Sequence, residues 1–382
     1  MTPAARLSAA IEVLDRILAG SPAEQALTNW GRAHRFAGSG DRHALRDLVF
    51  DALRCRRSYA AYGGAATGRG LILGSLRAQG SDLAAMFTGL GHAPLPVGTG
   101  EAGRAPEGLE ALDCPDWLGP RLMASLGPDF AAVMQALQKR APVFVRVNLA
   151  KADLTAARDM LAAEGIEARS VDWVRTALEV VGNARKLQSS RAYGEGVVEL
   201  QDASSQAVVA ALGLAPGMRV LDYCAGGGGK TLAMAALGAS PDAHDADPGR
   251  MRDLPARAAR AGAKVQLVES LVNTAPYDVI LTDVPCSGSG SWRRDPQGKW
   301  GLTEERLGEL TALQARILDE VLPWLSPGGV LAYATCSLLA EENEAQIAAF
   351  LGRHTAWICR EQRRFSPLQG GDGFFLAQLT QG

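Results

Sequence analysis

Two cysteines occupy near-equivalent settings: Cys286 in YDVILTDVPCSG (277–288) and Cys336 in GGVLAYATCS (328–337). Each follows a short apolar, β-branched run of the kind that forms a buried strand, and each precedes a small polar residue where the chain must turn. Both thiols are therefore expected at strand ends. In an open parallel sheet the carboxyl ends of the strands line the binding crevice, so thiols there are candidates for nucleophilic chemistry. A free cysteine also packs well as a small hydrophobe, so packing stands beside chemistry as a reading. The matching positions favour chemistry.

A third strand end lies in VLDYCAGGGGKT (220–231), a strand, a glycine-rich turn and a helix start. Glycines let the backbone approach a ligand closely, and the helix amino terminus points amides at it. Three ligands compete for such a loop. A Walker phosphate loop needs a glycine five residues before Gly229, where Cys224 stands instead. A dinucleotide fingerprint can be placed on Gly226 and its neighbours only as a lone match, with Lys230 unusual for it. S-adenosylmethionine fits best, with Cys224, Ala225, Gly226, Gly227, Gly228, Gly229 and Lys230 around its amino acid part. An acid after the next strand would hold the ribose hydroxyls, and Asp245 is the residue expected there. Its alternative is a solvated loop aspartate or a helix cap. For Lys230 the alternative is a charge at a helix start facing water.

These strand ends need a scaffold. Val220–Asp222, Val279–Asp283 and Val330–Ala334 are strand candidates, and 230–237, 249–261 and 303–325 are helix candidates. Such alternation implies a parallel sheet covered by helices on both faces. The second strand is the least evident, because residues 240–247 contain a proline and three aspartates. Before this lies a smaller mixed region: a strand at Val143–Val147, a helix over 154–164 closed by Gly165, and β-like pieces at 177–181 and 196–200. Residues 1 to about 130 read as a helical bundle, from apolar positions such as Leu7, Ala10, Ile11, Leu14, Ile17 and Leu18. The Gly- and Pro-rich stretch 89–108 is a loop. The expected organisation is multi-domain: an all-α domain at 1–130, a small α+β domain at 131–194 and an α/β Rossmann-like domain at 195–382.

The length of 382 residues requires more than one core, and 47% apolar with 21% charged residues is an ordinary globular composition. No run approaches a membrane span, and the amino terminus lacks the order of a secretory signal, so a cytoplasmic protein is expected. Six scattered cysteines without a Cys-x-x-Cys pair or a nearby histidine cluster argue against a zinc site and a disulfide framework. A net charge of −2 does not advertise nucleic acid, but residues 1–60 carry nine arginines against six acids. Arg293 and Arg294 add a local basic pair beside Cys286, suited to flanking phosphates or to a structural ion pair. Trp292 and Trp300 could stack on bases, but core packing is favoured for both.

Taken together, the glycine loop, DVPCSGSG (283–290), RRDPQGKW (293–300) and ATCS (334–337) followed by Glu341, Glu342 and Asn343 resemble the Nop/Sun family of RNA cytosine-5 methyltransferases. QDASSQ (201–206) and DGFF (372–375) are also similar, so the likeness runs over residues 140–382. HRFAGSGDR (34–42) in a helical context resembles the NusB-like domain preceding the catalytic module in the bacterial 16S ribosomal RNA enzymes of the Sun/Fmu type. The 131–194 region would then be the family's RNA-recognition-like insertion. The resemblance implies that Cys336 attacks the base, Cys286 assists product release, Asp283 lies near cytosine and cofactor, and Asp245 binds the ribose. Two departures stand out: the loop has Ala-Gly-Gly-Gly-Gly where many members have a proline, and the second acidic cofactor contact has only Glu269 as a candidate.

The chemistry explains the demand for such groups. Carbon 5 of cytosine is a poor nucleophile until a thiolate adds to carbon 6 and makes an enamine. Lys230 could favour that thiolate, and Asp283 could stabilise charge at N3. The base must leave its stack to reach the crevice, which favours a loop or an unpaired nucleotide. The expected partner is RNA, 16S ribosomal RNA first and transfer RNA or another ribosomal site second; no membrane partner is expected and a monomer suffices. A non-catalytic RNA-binding assembly factor on the same fold is the alternative of a different class.

Overall fold

The computed structural model describes residues 1–272, 274 and 276–382. The chain forms two compact units, Met1–Arg140 with Trp292–Gly301, and Ala141–Ser291 with Leu302–Gly382. Among the described residues no helix is long and apolar enough to cross a membrane.

The first unit is all-helical. Its principal helices are Pro3–Leu18, Ala23–Ala33, Ser39–Arg54, Arg56–Gly63 and Gly68–Ala78. Leu7, Val13, Leu14, Trp30, Leu45, Val49, Leu53 and Leu71 form its core, as their three- and four-residue spacing requires. Thr2 caps the first helix by accepting the Ala5 amide at 3.2 Å. Residues 292–301 leave the sequence neighbourhood of Cys286 and join this unit as a short helix, Pro296–Gly301. They finish the carboxyl end of helix 39–54: Lys299 Nζ donates to Arg54 O at 3.1 Å and Trp300 Nε1 to Leu53 O at 2.7 Å. Those carbonyls belong to the last helical turn, where an added donor, and a cation above all, is favourable. Gln297 adds bonds to Ala23 N and Ser21 O. Trp292 is core and Trp300 is tied to the helix end. Arg293 is also buried, at 4% exposure, so it has no free guanidinium for a phosphate, whereas Arg294 is exposed.

The second unit carries two sheets. Strands β1 (Val143–Val147), β2 (Glu167–Ser170), β3 (Ala177–Gly182) and β4 (Val198–Leu200) make an antiparallel sheet in the order β2-β3-β1-β4. With helix Leu154–Ala163 it is a small ferredoxin-like α+β domain with its own core of Val145, Val147, Leu161, Ile166 and Leu178.

The larger sheet contains β5 (Arg219–Asp222), β6 (Ser240–Ala243), β7 (Gln266–Leu267), β8 (Tyr277–Asp283), β9 (Leu325–Thr335), β10 (Trp357–Phe365) and β11 (Phe374–Gln381). Its order is β10-β11-β9-β8-β5-β6-β7, parallel from β9 to β7, with β11 antiparallel to both β9 and β10. Chain order reverses between β5 and β8, the switch point where ligands of open α/β sheets bind. Pro241 is accommodated in β6 opposite Val220. The expected helix over 249–261 is instead a 3-10 turn, Pro248–Met251, and a separate helix, Leu254–Ala261. Pro255 explains the break: it has no amide hydrogen and its ring obstructs the carbonyl four residues earlier. The long helix runs Glu304–Glu320, stopping before Pro323.

Lys299 yields a testable consequence of burial. At 2% exposure, desolvation lowers its pKa to about 8, although Asp113 opposes that. Between about pH 8 and the ordinary lysine value of 10.5, the native side chain has lost a proton that the unfolded chain still holds. Stability relative to Lys299→Met should therefore rise with pH in that window, by at most about 1.4 kcal/mol per unit. Thermal melts of both proteins from pH 7 to 10.5 measure this; a pH-independent difference would contradict it.

Candidate active site

The carboxyl ends of β5, β6, β8 and β9 carry the residues of interest. Asp222, the last residue of β5, is fully buried and accepts Thr231 Oγ1 at 2.6 Å, tying the strand to the first turn of helix Gly229–Ala236. Burial raises its pKa to about 6, and its Oδ1 is buried without a hydrogen-bond partner. No motif in the sequence assigns this acid a role; its only signal there is a charged residue ending an apolar strand.

Between strand and helix, Gly226 and Gly228 adopt left-handed backbone, φ 51° and 77°. Ala225 N bonds His244 O, and Gly228 N closes back onto Ala225 O at 2.8 Å. A Cβ at Gly228 would lie 2.2 Å from Leu254 Cδ1, and one at Gly227 would lie 3.0 Å from Arg257 Nη1. The loop thus needs glycine to run this close to the next helix. Asp245, two residues past β6, is 5% exposed and receives Gly226 N at 2.9 Å, Asp247 N at 3.0 Å and Arg250 Nη1 at 3.2 Å. It is therefore part of the glycine-loop architecture rather than a solvated loop aspartate. Glu269 lies beyond β7, exposed. Burial pushes the Cys224 thiol up, with Asp283, Asp222 and Asp245 adding to the effect.

Lys230 does not face water. It is 8% exposed, donates to Asp283 Oδ2 at 2.7 Å and sits 4.9 Å from the Phe374 ring centre. Burial opposes its charge, but the Asp283 carboxylate and its hydrogen bond outweigh that, with Asp222 and Cys336 adding to them. The ammonium is held above its usual pKa. The pair joins the glycine-loop helix to the end of β8.

Beside it, β8 and β9 pair in parallel with Asp283 opposite Ala334, and Val284 N donates to Ala334 O at 3.0 Å. This register places the loop after β8 against the loop after β9. Cys286 Sγ and Cys336 Sγ are 3.4 Å apart. The contact with Cys336 and burial push the Cys286 thiol well up. Both are free thiols. Gly290 N donates to Cys336 O at 2.9 Å, and Leu338 N to Ser289 Oγ at 2.7 Å, so the loops are laced together.

Residues 209–380 match the family described as 16S rRNA methyltransferase RsmB/F, and residues 114–185 match the ferredoxin-like domain of RsmF/B-like methyltransferases. Ribosomal RNA small subunit methyltransferase B of Xylella fastidiosa is 37% identical over 296 residues, 70% of this chain and 67% of that protein. This chain belongs to the RsmB/F family. The namesake protein of Erwinia tasmaniensis is 34% identical, over 70% of this chain and 66% of its own length. The match thus spans about two thirds of these relatives. Among solved structures, the one titled Crystal Structure of PH0851 superposes with a TM-score of 0.79 at 25% identity, over 100% of this chain and 99% of that one.

RsmB/F enzymes use S-adenosylmethionine as methyl donor. The residues present fit it. The loop from Cys224 to Lys230 turns tightly at the switch point, packed so close that a Cβ at Gly228 would strike Leu254, and Asp222 offers a buried acceptor oxygen without a partner. Gly228→Ala, which adds a left-handed alanine and a clash with Leu254, should weaken S-adenosylmethionine binding at least about tenfold by calorimetry. Unchanged affinity in a folded variant would remove the loop from the cofactor site.

Proposed function

We propose that this chain methylates carbon 5 of a cytosine in 16S ribosomal RNA through a covalent bond between Cys336 and carbon 6. The carrying observation is the apposition of the two thiols at the ends of adjacent parallel strands, beside the Lys230–Asp283 pair. When bound, S-adenosylmethionine supplies an electrophilic methyl group. Cys224, the glycines 226–229 and Asp245 would hold it, with Asp222 behind the loop.

The protein's own groups account for the remaining steps. Lys230 places an ammonium close enough to Cys336 for their charges to interact, and the Cys336 thiolate is the attacking species. That thiolate adds to carbon 6, its electron pair forming the Sγ–C6 bond while the ring's C5–C6 π electrons move toward N3. Lys230, whose ammonium Asp283 holds in place at 2.7 Å, stands ready to stabilise that charge. The enamine so formed lets carbon 5 take the methyl group.

Release then requires a base for the C5 proton. The largest influence holding the Cys286 thiol protonated is its contact with Cys336. Once Cys336 sulfur is bonded to carbon 6 it is no longer a thiolate for Cys286 to donate to, so that influence weakens while burial and Glu342 still act, and Cys286 gives its proton to water before serving as the base. Its thiolate takes the C5 proton, the C5–H electrons restore the C5–C6 double bond, and the Sγ–C6 pair returns to Cys336. The same reading places a monomeric enzyme in the cytoplasm, acting on an unpaired or flipped nucleotide.

Cys336→Ala should reduce transfer of labelled methyl to unmodified 16S ribosomal RNA by a factor of about 1,000 or more. Cys286→Ala should instead transfer one methyl and accumulate a protein–RNA adduct that survives denaturing electrophoresis. The opposite pattern would exchange the two roles, and label entering transfer RNA but not ribosomal RNA would move the substrate.

A further inference from the structure

The two cysteine loops share one buried carboxylate. Glu342 ends the short turn Ala340–Glu342 and is fully buried. Its Oε1 accepts Ser287 N at 2.8 Å and Gln314 Nε2 at 3.0 Å; its Oε2 accepts Ser287 Oγ and Ser337 Oγ, each at 2.5 Å. Ser287 directly follows Cys286, and Ser337 directly follows Cys336. The backbone that carries this side chain is fixed in place, because Tyr333 Oη donates to Glu342 O at 2.6 Å and Glu342 N donates to Leu339 O at 3.2 Å.

We infer that Glu342 is a positioning residue that sets the spacing of the two thiols by bonding the residue after each. This rests on the roles given above to Cys336 and Cys286. All four of its contacts are donors, a demand that a carboxylate meets and a carboxamide of the same shape does not. Its charge also adds to the influences that keep the Cys286 thiol protonated. The neighbouring residue shows the same logic locally: Asn343 accepts Thr335 Oγ1 at 2.6 Å and donates to Ser337 O at 3.0 Å, stiffening the Cys336 loop alone. Glu342 bridges both.

The test reads thiol spacing directly. Phenylarsine oxide bonds two thiols at one arsenic, releasing water, and needs two sulfurs within a few ångströms. The full-length wild-type protein should bind it at a site lost in Cys286→Ala. Glu342→Gln should weaken that binding at least about tenfold and lower kcat on RNA by a similar factor, leaving KM for S-adenosylmethionine within about twofold. A folded Glu342→Gln protein with wild-type arsenical affinity and kcat would overturn the inference. Should Glu342→Gln fail to fold, the Ser287→Ala/Ser337→Ala double variant, which removes only the hydroxyl arms, must show the same weakening; wild-type affinity there overturns it equally. The arsenical measurement uses neither RNA nor methyl donor. Loss of methylation by the wild-type protein would therefore refute the proposed function while the spacing result stood or fell separately.

Discussion

The parallel pairing of β8 with β9 is the interaction on which the site depends. Aligning Asp283 with Ala334 brings the next turns of both strands to the same edge, and two thiols separated by 50 residues come within 3.4 Å. A slip of one residue would turn alternate side chains to the other face and carry Asp283 away from Lys230. The register is protected by burial. Val279, Ile280 and Leu281 of β8 and Leu331, Ala332 and Tyr333 of β9 are all at most 2% exposed, packed between helices on both faces.

Around that seam the electrostatics are uneven. A cation lies on the side of Cys336 through Lys230, and an anion lies behind both loops through Glu342. Each is buried, where charges interact strongly and bare ones are costly, and each is satisfied by directed partners. Two chemically identical thiols thereby sit in different electrostatic surroundings. In the proposed mechanism this difference sets an order of events, with one sulfur bonded to carbon before the other acts as a base.

Periodicity and strand-end logic in the sequence were enough to reveal the helical region, the mixed region and the wound sheet, because each has its own hydrophobic repeat. The strand at Ser240–Ala243 was hard to see, since its proline and aspartate look like a loop until both neighbours are in place. Pro255 is visible in the sequence, and it divides the helix that the spacing predicts over 249–261. Arg293 and Arg294 read equally as phosphate contacts or as a structural ion pair, and only the tertiary structure shows Lys299 and Trp300 finishing a helix formed by residues 39–54. In the site, the meeting of Cys286 and Cys336 was foreseeable from their matched positions. Asp222 and Glu342 were not assigned tasks, because a buried carboxylate acquires meaning only from donors that lie far away in sequence, such as Gln314 and Ser287.

The central claim is that Cys336, rather than Cys286, forms the bond to the base. It is tested most directly by reacting the wild-type protein and S-adenosylmethionine with target RNA containing 5-fluorocytosine, in which carbon 5 has no proton to lose and the adduct cannot resolve. Protease and nuclease digestion followed by mass spectrometry then locates the attachment. A nucleotide linked to the peptide containing Cys336 is the predicted result; a nucleotide on the Cys286 peptide would contradict the account.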